Sequence, residues 1–254
     1  MHGILFKQLK EQNPGCEIHV LVNDLNKYSG QLLECVDEVY ILNRSYLQKY
    51  LVEENRPWIR SYQNLRLLIK ELNSENFDRI YNFTHTFFSA RLMDVLQAKS
   101  KVGAQFILGH SSNEQNNWSS YLNLQFSLMN QSHFHYIDVL SKNFDIPLAG
   151  LLRQKVNLNQ NQICLQVLTS DLKKNWPLFK FKQLALKLKN QYPQFEIIIL
   201  GSPSEKEIIE NAFSGTEGIQ FQFPKWSELK SVLNKTRLLI TGDTSVQHFA
   251  VNCQ

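Results

Sequence analysis

The sequence predicts an α/β protein in which parallel sheets are flanked by helices, and two observations support this. Short apolar runs typical of buried strands alternate along the chain with segments whose apolar residues recur at helical spacing. Strands that alternate with helices form βαβ units, whose strands run parallel. The 254 residues also exceed what one hydrophobic core usually supports, so we expect two domains, residues 1–150 and 151–254.

In the first half, strands and helices are predicted from apolar periodicity and from breaks such as Asn13-Pro14-Gly15. The predicted strands are 17–22, 38–42, 79–83 and 101–103, and the predicted helices are 4–12, 28–35, 58–72, 87–97, 118–129 and 132–144. The polar stretch 109–117 lacks periodicity and is predicted to be a mobile loop or an acceptor-binding insertion. Polar residues follow the third strand, where they either face a ligand cleft or only cap the next helix: Asn82, Thr84, His85 and Thr86.

The second half repeats the same alternation after a linker that reaches about residue 160. The predicted strands are 162–168, 195–200, 219–223 and 238–240, and the predicted helices are 178–191, 204–213, 226–233 and a last one that begins near residue 245. Every strand is followed by polar or glycine-containing sequence, and ligands bind beyond the carboxyl ends of such strands. The second half therefore carries the main candidate site.

The charge, the apolar runs and the cysteine spacing of the sequence indicate which kind of partner the protein binds and in which compartment it works. The net charge of +4 suits anionic partners, but no basic stripe with interleaved aromatic residues indicates a nucleic-acid binder. No apolar run is long enough for a transmembrane helix, and no signal peptide opens the chain. The four cysteines are scattered without a CxxC pair, which favours free thiols in a reducing cytoplasm over disulfides or zinc. We expect a cytoplasmic protein without a metal or cofactor.

The stretch 238–250 predicts an anion site. An apolar strand meets Gly242, and Asp243, Thr244 and Ser245 follow as helix-capping residues. A strand that turns sharply into a helix directs backbone N–H groups and a positive helix end at one small volume, which suits a diphosphate or a carboxylate. Asp243 and His248 add polar side chains there. The alternative is an ordinary βα unit whose polar residues only cap the helix.

A second candidate loop follows the strand 162–168. Thr169 and Ser170 can donate hydrogen bonds to phosphate, and Lys174 can supply a positive charge, although a solvated basic loop is the alternative. Lys174 and Asp243 each follow a strand of the same predicted sheet, so their loops are expected to share one cleft. Glu205, four residues past Gly201, either reaches a ribose hydroxyl or only complements the helix dipole.

Taken together, these motifs resemble glycosyltransferase family 9, the ADP-heptose:lipopolysaccharide heptosyltransferases. The order in the second half is Thr169-Ser170…Lys174-x-Trp176-Pro177, then Ile199-Leu200-Gly201, then Asp243-Thr244-Ser245-x-x-His248-x-Ala250. The first half adds Pro14-Gly15, Val36-Asp37-Glu38-Val39, Phe77-Asp78-Arg79-Ile80 and Lys101-Val102-Gly103. The resemblance therefore covers nearly the whole chain.

The resemblance implies two Rossmann-like domains of the B-type glycosyltransferase fold, with the acceptor side in residues 1–150 and the nucleotide sugar in residues 151–254. It places the substrate-binding residues as follows: Thr169, Ser170 and Lys174 at the donor diphosphate and sugar, Glu205 near the ribose, Asp243 at the donor sugar, and Thr244, Ser245 and His248 at the phosphate-binding helix start. The implied reaction is metal-independent transfer with inversion, from ADP-heptose to a lipopolysaccharide-core acceptor. This function implies a cytoplasmic location, with room for peripheral contact at the inner face of the inner membrane.

The chain departs from the family pattern in three ways. Ser245 stands where the family has glycine. Family members begin with a strand and a Gly-Asp turn whose aspartate is the expected base, so that base is expected before Met1 and no catalytic residue is assigned. They also continue past the helix that ends this chain, so a chain truncated at both ends is expected. The alternative function is a non-catalytic, inactive nucleotide- or sugar-binding α/β protein.

Overall fold

A computed structural model describes residues 2–28, 33–52, 58–107, 109–112, 117–127, 134–148 and 159–251. The chain divides into two compact units. The first contains residues 2–30 and 35–151, and the second contains residues 152–254 together with Met1 and residues 31–34. Both are built from parallel strands and helices, so the predicted α/β class is confirmed.

The first unit contains three small two-stranded sheets. Its strands are β1 (His19–Asn23), β2 (Glu38–Leu42), β3 (Arg79–Asn82), β4 (Ser100–Gly103), β5 (Gln105–Ile107) and β6 (His110–Ser112). Its helices are α1 (Gly3–Gln12), α2 (Arg44–Val52), α3 (Trp58–Ser74), α4 (Phe87–Val95), α5 (Asn117–Ser127) and α6 (Tyr136–Phe144). The pairs β1–β2 and β3–β4 are parallel, and β5–β6 is an antiparallel hairpin.

Two buried clusters hold this unit together. One joins Leu5 of α1 and Leu122 of α5 to the apolar face of α6, and the other packs Leu72 of α3 against Tyr40 and Leu92. Each cluster removes the apolar stripe of an amphipathic helix from water. This burial of apolar surface is the main source of the stability of the unit.

The second unit contains one parallel sheet of four strands. Its strands are β7 (Gln162–Gln166), β8 (Glu196–Leu200), β9 (Gln220–Gln222) and β10 (Thr236–Thr241), and its helices are α7 (Leu178–Gln191), α8 (Lys206–Ala212), α9 (Leu229–Leu233) and α10 (Ser245–Ala250). The strand order is β10-β7-β8-β9. Every residue of β7 is buried, as expected for a central parallel strand covered on both faces.

The structure corrects three local predictions in the first unit. The stretch 109–117 contains β6 of a hairpin and the first residue of α5, because backbone pairing of Phe106 with Ser111 organises a segment that has no apolar periodicity. The helix predicted over 132–144 begins at Tyr136, because the His135 side chain accepts the amide of Ile137 and caps it. The helix predicted over 28–35 has ended before residue 33, and residues 29–32 lie outside the described residues.

Candidate functional site

The candidate site lies where the strand order of the second unit reverses. From β7 the chain passes to β8 and β9 on one side, and it returns to β10 on the other side of β7. The register pairs Gln166 with Thr241, so the carboxyl ends of β7 and β10 are level. Loops that leave opposite sides of such a point open a crevice, which is the usual ligand site of an open parallel sheet.

The loop after β7 is folded by its own polar side chains. The Thr169 hydroxyl donates to the carbonyl of Asp171 at 2.7 Å, and the Thr169 amide donates to Asn175 Oδ1 at 2.7 Å. Asp171 Oδ1 then accepts the amide of Lys173 at 3.0 Å, within a 3₁₀ turn over Leu172–Lys174. These bonds fix the direction in which the Lys174 side chain leaves the loop.

The loop after β10 passes very close to the Thr169 loop. A Cβ atom added to Gly242 would lie 3.1 Å from Cγ2 of Thr169, so glycine allows the two loops to approach. The Thr241 hydroxyl donates to the Gly242 carbonyl at 3.0 Å and lies 3.2 Å from the Thr244 hydroxyl. Thr244 precedes α10 but its side chain does not cap that helix. The sequence therefore forms a tight turn with a helix start at the edge of the crevice.

An ion pair joins the two loops. Lys174 Nζ donates to Asp243 Oδ2 at 2.7 Å, although the two residues are 69 positions apart. This hydrogen bond, followed by the charge of Asp243, raises the pKa of Lys174, and the same bond and the charge of Lys174 lower the pKa of Asp243. The nearby His248 lowers the pKa of Asp243 further. At neutral pH the crevice therefore presents one ammonium and one carboxylate in contact.

A cavity of about 310 Å³ opens beside this ion pair. The lining residues are Val167, Thr169, Lys174, Trp176, Phe181, Leu184, Ile240, Thr241 and Gly242. Most of these side chains are apolar, and Lys174 adds a positive charge. This lining suits a ligand that combines anionic and apolar parts.

The structure brings some of the predicted site residues together but not all of them. Thr169, Lys174 and Asp243 meet at the crevice, with Ser170 in the same loop. Thr244, Ser245 and His248 lie at the start and on the first turns of α10. Glu205 follows β8 instead, and its carboxylate accepts the amide of Ser202 at 2.6 Å. This bond caps the turn after β8, and the ribose contact of Glu205 stays a prediction.

Two residues of the loop were not among the predicted site residues. Asn175 holds the Thr169 amide, and Trp176 packs edge-on against Phe181 with ring centroids 4.8 Å apart. Both lie in the Lys174-x-Trp176-Pro177 motif, so the motif spacing was the signal that could have identified them. They act as supports that shape the loop and the cavity wall.

The polar residues after β3 have structural partners. The Asn82 side chain is buried, donates to the carbonyl of Ala104 at 2.8 Å and accepts the Thr84 hydroxyl at 2.8 Å. Thr86 caps α4 by accepting the amide of Ser89. These contacts support the loop-and-cap alternative for Asn82, Thr84 and Thr86.

In the described part of the chain, no three His, Cys, Asp or Glu side chains gather as metal ligands would. The helices found there are all too short or too polar to cross a bilayer.

The fold is that of an α/β protein with a crevice at the carboxyl edge of a parallel sheet. A family model described as glycosyltransferase family 9 (heptosyltransferase) matches residues 65–254. This is most of the chain, which therefore belongs to glycosyltransferase family 9, and the family predicted from the motifs is confirmed. Among curated proteins, no significant match is found.

Solved structures of the family have the same fold. Escherichia coli heptosyltransferase WaaC with ADP superposes with a TM-score of 0.68 at 14% identity, over 99% of this chain and 80% of that one. WaaC with ADP-2-deoxy-2-fluoro heptose gives 0.70 at 12% identity, over 99% and 81%. A family 9 glycosyltransferase from Veillonella parvula gives 0.62 at 15% identity, over 100% and 76%. These likenesses confirm the B-type glycosyltransferase fold.

Proposed function

We propose that the protein transfers heptose from ADP-heptose to a lipopolysaccharide-core acceptor, with inversion and without a metal ion. The observation that carries this proposal is the meeting of Lys174 and Asp243 at the reversal point of the sheet, beside a cavity that Lys174 lines. Family membership supports glycosyl transfer. The ADP and the ADP-heptose analogue bound to WaaC support this choice of donor.

In this proposal the predicted domain 151–254, which makes up most of the second unit, holds the donor. Lys174 binds the diphosphate as a point charge, with Thr169 and Ser170 as hydroxyl donors from the same loop. The backbone at Thr244 and Ser245 faces the phosphates, and His248 lies one turn further into α10. Asp243 accepts hydroxyl groups of the donor sugar. Glu205 is retained as a ribose contact, which requires its carboxylate to bind the ribose while it caps the turn at Ser202.

The first unit, residues 1–150, receives the acceptor in this scheme. An acceptor hydroxyl that has lost its proton to a base attacks the anomeric carbon, and ADP leaves from the opposite face. Lys174 and the α10 start stabilise the negative charge that develops on the departing diphosphate. The proposal assigns no catalytic base. It places the reaction in the cytoplasm, at the inner face of the inner membrane.

Transfer from ADP-heptose to heptose-deficient lipopolysaccharide core tests this function, with released ADP and product mass as the readouts. Lys174→Ala removes the positive charge that stabilises the departing diphosphate, so it is expected to lower kcat by about a hundredfold or more. Lys99→Ala is the matched control, because Lys99 forms a similar exposed ion pair with Asp78 at 2.6 Å in the first unit. Equal turnover by the wild type and Lys174→Ala would refute the role of Lys174. ADP binding without any transfer would favour the non-catalytic alternative.

A further inference from the structure

Helix α3 (Trp58–Ser74) carries an outward row of large apolar and basic side chains. Trp58, Tyr62, Arg66 and Lys70 follow one another at four-residue steps, so they lie on one side of the helix. Trp58 is 61% exposed and Tyr62 is 57% exposed, and Arg66 and Lys70 are also exposed. Isolated exposed apolar residues are ordinary, but an aligned set that includes tryptophan and tyrosine indicates an interaction surface.

A neighbouring row of the same helix extends this surface. Ile59 is 49% exposed and Leu67 is 65% exposed. We call Trp58, Ile59, Tyr62, Arg66, Leu67 and Lys70 the α3 surface. It combines four large apolar side chains with two cations on one helix of 17 residues.

The core-facing side of α3, which adjoins the row that begins at Trp58, fixes the orientation of the helix. Ser61 is buried and donates to the carbonyl of Leu47 in α2 at 2.9 Å, and Leu72 is buried in the cluster with Tyr40. Leu68 and Ile69 pack against the same cluster. Because this face is occupied by the unit's own core, the α3 surface is presented outward by a helix that cannot rotate without exposing that core.

The charge of α3 selects the partner. Helix α3 contains three basic residues, Arg60, Arg66 and Lys70, and one acidic residue, the exposed Glu71, so it carries a net positive charge. Basic side chains beside tryptophan and tyrosine are the combination that places a helix in the headgroup region of an anionic bilayer, with apolar rings at the acyl boundary. A second copy of the chain would bring the same positive charge to a shared interface. An anionic lipid surface therefore complements α3 better than self-association does.

We propose that the α3 surface docks the protein on anionic phospholipid. Trp58, Ile59, Tyr62 and Leu67 enter the interface of the bilayer, while Arg66 and Lys70 contact phosphate groups. This docking does not depend on the donor site or on turnover. It assigns to α3 the lipid contact that the family resemblance leaves unplaced.

Vesicle co-sedimentation of the full chain tests the proposal, with vesicles of pure phosphatidylcholine or of phosphatidylcholine with 30% phosphatidylglycerol. The wild type is expected to bind only the anionic vesicles and to be released by 0.5 M NaCl. Removing two cations in Arg66→Gln/Lys70→Gln is expected to weaken binding by about tenfold or more. Trp58→Ser/Tyr62→Ser is expected to weaken it comparably by removing the apolar anchors.

Helix α7 (Leu178–Gln191) provides the matched control. It carries four lysines and no acidic residue, and it exposes Phe179 and Leu186 but no tryptophan or tyrosine. The variants Lys180→Gln/Lys187→Gln and Phe179→Ser are expected to bind the anionic vesicles as the wild type does. Circular dichroism confirms that each variant is folded before it is compared.

Three outcomes would overturn the proposal. The first is wild-type binding that does not distinguish anionic from neutral vesicles. The second is an equal loss of binding in the α3 and α7 variants, which would indicate only diffuse positive charge. The third is a dimer in sedimentation velocity that Trp58→Ser/Tyr62→Ser dissociates, because the α3 surface would then bind a second copy of the chain.

Discussion

The ion pair between Lys174 and Asp243 leads us to predict that Asp243→Asn changes the affinities for ADP and for ADP-heptose in opposite directions. In the free protein Lys174 Nζ donates a hydrogen bond to the Asp243 carboxylate at 2.7 Å. Lys174 is also the cation that the proposed site offers to a diphosphate. ADP must therefore compete with this carboxylate and bind close to its negative charge. Replacing the charge in Asp243→Asn is expected to tighten the binding of ADP, which has no sugar for Asp243 to hold.

The structure also limits the size of this effect. The Lys174 side chain is 52% exposed and that of Asp243 is 66% exposed, so water screens their charges strongly. The repulsion between two like unit charges about 4 Å apart in water is small, and it corresponds to a change of about fivefold in a binding constant. Asp243→Asn should therefore bind ADP about fivefold more tightly at low salt. It should bind ADP-heptose more weakly, because sugar hydroxyl groups lose a carboxylate acceptor.

Isothermal titration calorimetry with ADP and with ADP-heptose measures both effects. Asp78→Asn is the control, since it removes the carboxylate of another exposed ion pair, with Lys99 in the other unit, and no change is expected. The gain for ADP should shrink in 0.5 M NaCl. If Asp243→Asn weakened ADP binding, Asp243 would position Lys174 for the phosphates rather than compete with them, and the reasoning would be wrong.

Two further predictions concern the fold that carries the site. Gly103 has a φ of +104°, and a Cβ there would lie 2.3 Å from the Asn82 carbonyl oxygen, so Gly103→Ala should lower the free energy of unfolding by about 3 kcal/mol. Gly15→Ala, with a φ of +85° in open space, should cost only about 1 kcal/mol; equal losses in urea unfolding would contradict the steric argument. Burial raises the pKa of the Cys164 thiol to about 11, so the folded state keeps a proton that the unfolded state loses above pH 9. Between pH 8.5 and 10.5 the wild type should lose about 2 kcal/mol more stability than Cys164→Ala, and parallel pH profiles would contradict this.

Much of the second unit could be predicted because its elements are locally consistent. The helix predicted over 178–191 has the predicted bounds, and β7, β8 and β10 lie on the predicted apolar runs. The same consistency allowed Lys174 and Asp243 to be placed after strands of one sheet. Their direct contact was not predictable, because it depends on β10 lying beside β7 rather than beside β9.

The failures of prediction occur where tertiary contacts or capping override periodicity. Helix α2 was not predicted from the sequence. It is held by a tertiary contact, because the carbonyl of Leu47 accepts a hydrogen bond from Ser61 in α3. The β5–β6 hairpin has strands of three residues, too short to show a period of two. The role of Glu205 could not be assigned from sequence, because a glutamate in a first helical turn can complement the helix dipole or reach a ribose. The structure adds its bond to the Ser202 amide, and the ribose contact stays a prediction.

The proposed function requires Lys174 and its loop to bind the diphosphate of an adenine nucleotide. Calorimetric titration of the wild type, Lys174→Ala and Lys99→Ala with ADP, UDP and GDP tests this binding directly. We predict selective binding of ADP by the wild type and by Lys99→Ala, and binding at least tenfold weaker by Lys174→Ala, since a charge-assisted contact to phosphate is lost. Equal ADP affinity in Lys174→Ala, or no nucleotide binding by a wild-type chain that unfolds cooperatively, would contradict it.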